Sequence, residues 1–78
     1  MVTVEYYGVL KGLVGMRSEE VPHAATVAGV IALVVDRHPN LDGAMQGVAT
    51  ALNEEIVRRT AVVADGAVLA LLPPVSGG

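Results

Sequence analysis

Thr26-Val27-Ala28-Gly29-Val30-Ile31-Ala32-Leu33-Val34-Val35-Asp36-Arg37-His38-Pro39 is the stretch on which the fold turns. Val27, Val30, Ile31, Val34 and His38 recur at the spacing of one face of a helix. Thr26 is placed to accept, through its hydroxyl, a bond from the free amides of a first helical turn. Asp36 and Arg37 leave another face polar, and Pro39 supplies a stop after His38. Propensity argues the other way, because β-branched valines are stiff at χ1 and Gly29 costs about 1 kcal/mol relative to alanine. A strand is therefore the competing reading. We adopt the helix, whose stability must then come from packing on a sheet.

On the N-terminal side, Val2-Thr3-Val4-Glu5-Tyr6-Tyr7 alternates, with Val2, Val4 and Tyr6 on one face of an opening strand. Gly8 to Gly15 reads as a turn region carrying Leu13 and Val14. A second strand near Arg17 to Val21 completes a hairpin that ends at Pro22. On the C-terminal side, Asn40 to Gln46 reads as irregular and Val48 to Leu52 as a third strand. Ile56-Val57 is a short fourth after a turn at Asn53-Glu54-Glu55. Asp65-Gly66 marks another turn, and Ala67 to Leu72 is the last strand. The fold class is α+β: a mixed sheet of four to five strands covered by one main helix. With the first and last strands as central neighbours, this is a β-grasp arrangement over residues 1–72, with a projecting tail at 73–78.

The chain has 78 residues, one domain near the lower limit for a self-supporting core. It has no cysteine, so neither a disulfide nor a thiolate metal site supplements that core. His23 and His38 stand apart from any ligand cluster; no metal is expected and both read as structural. Hydrophobic residues make up 53% of the chain, yet the only aromatics are Tyr6 and Tyr7. So small a domain cannot bury all of that, and some aliphatic surface is expected to face outward as a contact patch. The apolar stretch Ala24 to Val35 is too short to span a bilayer, which takes ~20 residues. No membrane association is expected, and without a secretory signal pattern the expected compartment is the cytoplasm. Net charge is −3, and Lys11, Arg17, Arg37, Arg58 and Arg59 are scattered, so no nucleic-acid footprint is expected.

The chemistry points to Pro73-Pro74-Val75-Ser76-Gly77-Gly78. The proline pair favours an extended form that carries Val75 to Gly78 away from the body. Gly77 and Gly78 lack Cβ atoms and make a tip thin enough for a narrow channel in another protein. Six extended residues reach at most about 20 Å.

At these residues the chain resembles the small, sulfur-carrying subunits of molybdopterin synthase, a family of ubiquitin-like β-grasp proteins. The resemblance rests on Val2 to Tyr7, Leu13-Val14-Gly15, Ala25-Thr26-Val27-Ala28, Arg37-His38-Pro39, Ala51-Leu52-Asn53-Glu54-Glu55, Asp65-Gly66 and Leu71 to Gly78. The Pro-Pro-Val-Ser-Gly-Gly tail is its most specific part. Two departures stand out: Ala67-Val68 replaces a usual acidic pair after Asp65-Gly66, and Gly12 replaces a common acid after Lys11.

The resemblance implies that Gly78 is the reacting residue, with Gly77 beside it. A terminal carboxylate, with a pKa of ~3.5, is ionised at neutral pH and resists attack. It is therefore adenylated by a ubiquitin-activating-like adenylyltransferase that uses ATP; this chain itself binds no cofactor. Sulfur from a donor protein then gives a thiocarboxylate, a covalent carrier that splits one difficult transfer into easier steps. Inserted into the large subunit, the sulfur attacks cyclic pyranopterin monophosphate, and two rounds build the molybdopterin dithiolene. Partner contacts are implied at Tyr7, Lys11, Ile56, Leu72, Pro73, Pro74, Val75 and Ser76. Ile56 is equally readable as core filler and Lys11 as a solvated lysine. Glu54-Glu55 and Arg58-Arg59 read as solvated turns. Three other readings remain: a sulfur carrier for thiamin thiazole or cysteine synthesis, a protein modifier joined through Gly78, and a β-grasp interaction module with an inert tail.

Overall fold

The stretch from Thr26 is a helix. In a computed structural model that describes residues 1–74, it runs from Val27 to Arg37. Thr26 Oγ1 accepts from the Gly29 amide at 3.2 Å. The amides of Val27 and Ala28 are taken by the carbonyls of Ala61 and Arg59, at 3.0 and 2.8 Å. Val27, Val30, Ile31 and Val34 are buried, so tertiary packing overrides the poor propensity of the valines. Thr26→Ala should cost about 1 kcal/mol of stability with an unchanged denaturant slope. A urea titration showing no loss would mean that the loop carbonyls alone hold the helix start.

The elements are β1 (Val2–Tyr6), α1 (Val9–Val14), β2 (Ser18–Val21), α2 (Val27–Arg37), a 3-10 helix (Pro39–Met45), β3 (Ala49–Leu52), β4 (Glu55–Val57) and β5 (Val68–Leu72). The sheet order is β2-β1-β5-β3-β4. β1 and β5 pair in parallel at the centre, with Val4 opposite Leu69 and Tyr6 opposite Leu71. The other pairs are antiparallel. Val2, Val4, Tyr6, Leu69 and Leu71 point from the sheet into one core with the buried face of α2. The β-grasp expectation holds, and the strand bounds agree to within one residue.

Two expectations need correction. Residues 8–15 are not a simple turn region: α1 is a short helix that buries Leu10 and ends at Gly15, whose left-handed φ of 82° allows its amide to reach Lys11 O at 2.8 Å. Residues 39–45 are a 3-10 helix that buries Leu41 and Met45, tied to α1 by Asn40 Nδ2 donating to Leu13 O at 2.8 Å. Neither segment is long enough to show a period, and each is held by the side chains it buries. Between β3 and β4, Asn53 and Glu54 both take positive φ (48° and 72°), the backbone of a tight hairpin turn. Among the described residues, no helix is long and apolar enough to cross a membrane.

Candidate functional site

Strand alternation divides the sheet into a face under α2 and an open face. Cross-strand register places Glu5, Ala70, Ala51 and Ile56 in one row of the open face. Leu72 lies opposite Ala49 in the next row, and Tyr7, one residue beyond β1, continues on the same side. Tyr7, Ile56 and Leu72 thus share one face of the sheet. Ile56 is no core residue: it is 68% exposed on β4. Tyr7 is 46% exposed, and Leu72 is half-buried. Small side chains between them (Ala49, Ala51, Ala70) keep the face flat, which permits close approach of another surface. Val68, at a position where the resemblance expects an acid, is half-buried and adds to this apolar face, whereas Ala67 is buried in the core. Other exposed apolar side chains, Val9 and Val62 among them, lie on α1 and beside the start of α2, so the outward aliphatic surface is not one patch.

The rim of the face is charged. Tyr7 Oη donates to Glu5 Oε1 at 3.2 Å, and the Glu5 charge together with that bond pushes the Tyr7 phenol above its ordinary value. Glu5, Tyr7, Gly8, Lys11, Arg17 and Ser18 line an open cleft of about 410 Å³. Lys11 is exposed on α1 and, with Arg17, gives this end of a net-negative chain a local positive charge.

The same end of the sheet is where the tail leaves. Pro73 is half-buried and Pro74 exposed. A Cβ on Gly8 would lie 2.9 Å from Pro73 Cγ, and one on Gly47 would lie 3.8 Å from Pro74 Cγ. Val75, Ser76, Gly77 and Gly78 lie outside the described residues.

The remaining polar residues serve the fold. Glu19 Oε2 accepts from Tyr6 Oη and from His38 Nε2, both at 2.5 Å, while Oε1 accepts from Arg37 at 2.9 Å. His23 Nε2 donates to Val63 O at 2.6 Å. Both histidines thus make hydrogen bonds within the fold, matching the structural reading of them. Among the described residues, no three His, Cys, Asp or Glu side chains are grouped to hold a metal ion. Glu54 and Arg58 are exposed, as expected for solvated turns, while Glu55, also exposed, begins β4 rather than lying in the turn. Arg59 is not: it is half-buried and donates to Met45 O and Val48 O, at 2.6 and 3.1 Å. Sequence reading also missed Gly8 and Gly47, because nothing in the sequence marks which glycines take positive φ (55° and 75°).

Known proteins share this architecture. The model of the ThiS family matches residues 4–78. A molybdopterin synthase sulfur carrier subunit from Chlamydomonas reinhardtii is 31% identical, covering 99% of this chain and 98% of its own. SAMP1 from Haloferax volcanii is 28% identical with a TM-score of 0.85, covering 99% of this chain and 98% of that one. The Amycolatopsis orientalis BexX/CysO complex contains a chain 31% identical, with a TM-score of 0.86 and full coverage of both. In a protein–protein complex of subunits 1 and 2 of molybdopterin-converting factor from Helicobacter pylori, one chain is 27% identical, with a TM-score of 0.72 and coverage of 99% and 97%.

Proposed function

The chain belongs to the ThiS family, and we propose that it is the sulfur carrier subunit of molybdopterin synthase. The observation that carries this reading is its end-to-end similarity to a carrier of that name, together with the Pro73 to Gly78 tail. In this reading residues 1–72 are a docking body and residues 73–78 the working arm. An adenylyltransferase uses ATP to convert the Gly78 carboxylate into an acyl adenylate, releasing pyrophosphate, and sulfide supplied by a donor protein displaces AMP to leave the thiocarboxylate. The thiocarboxylate then enters the large subunit and attacks cyclic pyranopterin monophosphate there. The open face of Tyr7, Ile56 and Leu72 seats the body, and Lys11 meets an acidic group at the rim. Acid–base groups belong to the partner, in keeping with the structural roles of Glu19, His23 and His38 in this chain. The Helicobacter pylori neighbour, solved with its subunit 2, supports assembly with a larger partner.

Intact mass of the protein from its own host tests this directly. A species heavier by one sulfur-for-oxygen exchange at Gly78 is expected, and deletion of Gly78 should abolish both that species and sulfur transfer. The similarity to SAMP1, a small archaeal modifier protein, favours a second reading. Gly78 found in isopeptide linkage to other proteins, with no thio form, would establish it instead.

A further inference from the structure

We propose that Gly8 and Gly47, braced by Arg59, are positioning residues that aim the tail. The inference rests on the sulfur-carrier reading above. β5 lies between β1 and β3. Because β1 runs parallel to it, the loop after Tyr6 sits beside the outgoing end of β5. Because β3 runs antiparallel, the loop before Ala49 sits beside that same end, on the other flank. Gly8 belongs to the first loop and Gly47 to the second. The topology therefore places one glycine on each side of Pro73-Pro74.

The contacts fit a seat. The Pro73 ring fills space that any Cβ on residue 8 would claim, at 2.9 Å. The Pro74 ring lies at van der Waals range from the Cβ position of residue 47, at 3.8 Å. Gly8 has φ 55° and ψ −133°, a backbone region open to glycine and strained for other residues. The second flank is clamped: the Arg59 guanidinium holds Met45 O and Val48 O, the two carbonyls that bracket Gln46-Gly47. Arg59 is itself anchored, since its carbonyl accepts from the Ala28 amide at the start of α2. On the first flank, the amides of Leu10 and Lys11 donate to Tyr7 O and Gly8 O, at 3.1 and 3.2 Å.

A stiff proline pair transmits direction only if its first ring is seated. Seated between two flanks, it sets the line along which the reacting end leaves the docking face. Reaction geometry is sensitive to this, since a displacement of about 1 Å can cost roughly a hundredfold in rate. The seat therefore acts on the chemical step more than on assembly.

The test uses full-length chain carrying a thiocarboxylate installed by thiolysis of a C-terminal thioester, which bypasses activation. It is combined with the molybdopterin synthase large subunit and cyclic pyranopterin monophosphate. Pro73→Ala and Arg59→Gln should each lower the single-turnover transfer rate about tenfold or more, with the Kd of the complex within about twofold. Arg58→Gln, an exposed neighbour, should transfer at the unaltered rate. Transfer at the unaltered rate by both Pro73→Ala and Arg59→Gln would overturn the proposal, as would a loss wholly accounted for by Kd. Proton NOEs in the free chain supply a readout independent of any acceptor. Gly8 Hα to Pro73 Hγ and Gly47 Hα to Pro74 Hγ should both be present, the second weakened in Arg59→Gln; their absence from the unaltered chain overturns the seat. Failure of the unaltered thiocarboxylate to transfer, with both NOEs present, would instead count against the molybdopterin synthase reading.

Discussion

Leu72→Arg is expected to fold and to lose assembly with the large subunit. Leu72 is the last residue of β5, half-buried on the open face and outside the core cluster. Its backbone pairing with Ala49 does not depend on the side chain, and arginine can lay its methylenes along the sheet with its head in water. The melting temperature should therefore change little. In the complex, that head would be pressed against a flat surface built from Ala49, Ala51 and Ala70. An unpaired charge buried at an interface costs about 4 kcal/mol, roughly a thousandfold in Kd. Calorimetric titration and size exclusion read this directly. An assembled, active complex from the variant would remove the open face as the docking surface.

Glu19→Ala is expected to have the largest effect on stability. One carboxylate on β2 ties together β1 through Tyr6 and the end of α2 through Arg37 and His38. The Glu19 side chain is only 11% exposed. Removing it deletes two bonds to the side chains of Tyr6 and His38 and a partly exposed ion pair. The expected cost is about 3 kcal/mol, or roughly 15 °C in melting temperature for a domain of this size. Burial pushes the Glu19 carboxyl up, but the bonds from Tyr6, Arg37 and His38 outweigh it and hold the group below its ordinary value. A depressed folded value means that the contribution is complete above the unfolded carboxylate value of about 4.3. It is lost as pH falls through the folded value. The stability gap between the unaltered protein and Glu19→Ala should therefore be wide at pH 7 and shrink below about pH 4. Thermal melts showing the same gap at pH 7 and pH 3 would refute the assigned role. The same contacts act on Tyr6, whose phenol is pushed up by burial and then by Glu19.

Much of the fold is legible in the chain because its signals are local and repeated. Alternation in Val2 to Tyr6 survives as buried and open faces, whereas the uniformly apolar Val68 to Leu72 marks a strand without showing which face it buries. The spacing of Val27, Val30, Ile31 and Val34 matches the buried stripe of α2. Thr26 caps where its hydroxyl predicts. The short elements α1 and the 3-10 helix were not legible, since neither spans enough residues to show a period and each exists by burying Leu10, or Leu41 and Met45.

For the site, the division follows the range of the interactions. The tail, the alternation that turns Tyr7 away from Tyr6, and the lack of any thiol could be read from the chain, since all are properties of residue type and near neighbours. Three features emerge only in the folded chain: Ile56 is surface, Arg59 is a clamp, and Gly8 and Gly47 flank Pro73-Pro74. The first follows from β4 pairing at the sheet edge beside β3, the second from the loop carbonyls that Arg59 reaches, and the third from the strands beside β5 and their directions. Gly8 reaches Pro73, Gly47 reaches Pro74 and Arg59 reaches the carbonyls of Met45 and Val48 only once the sheet has assembled, and no spacing along the chain encodes a contact made across it.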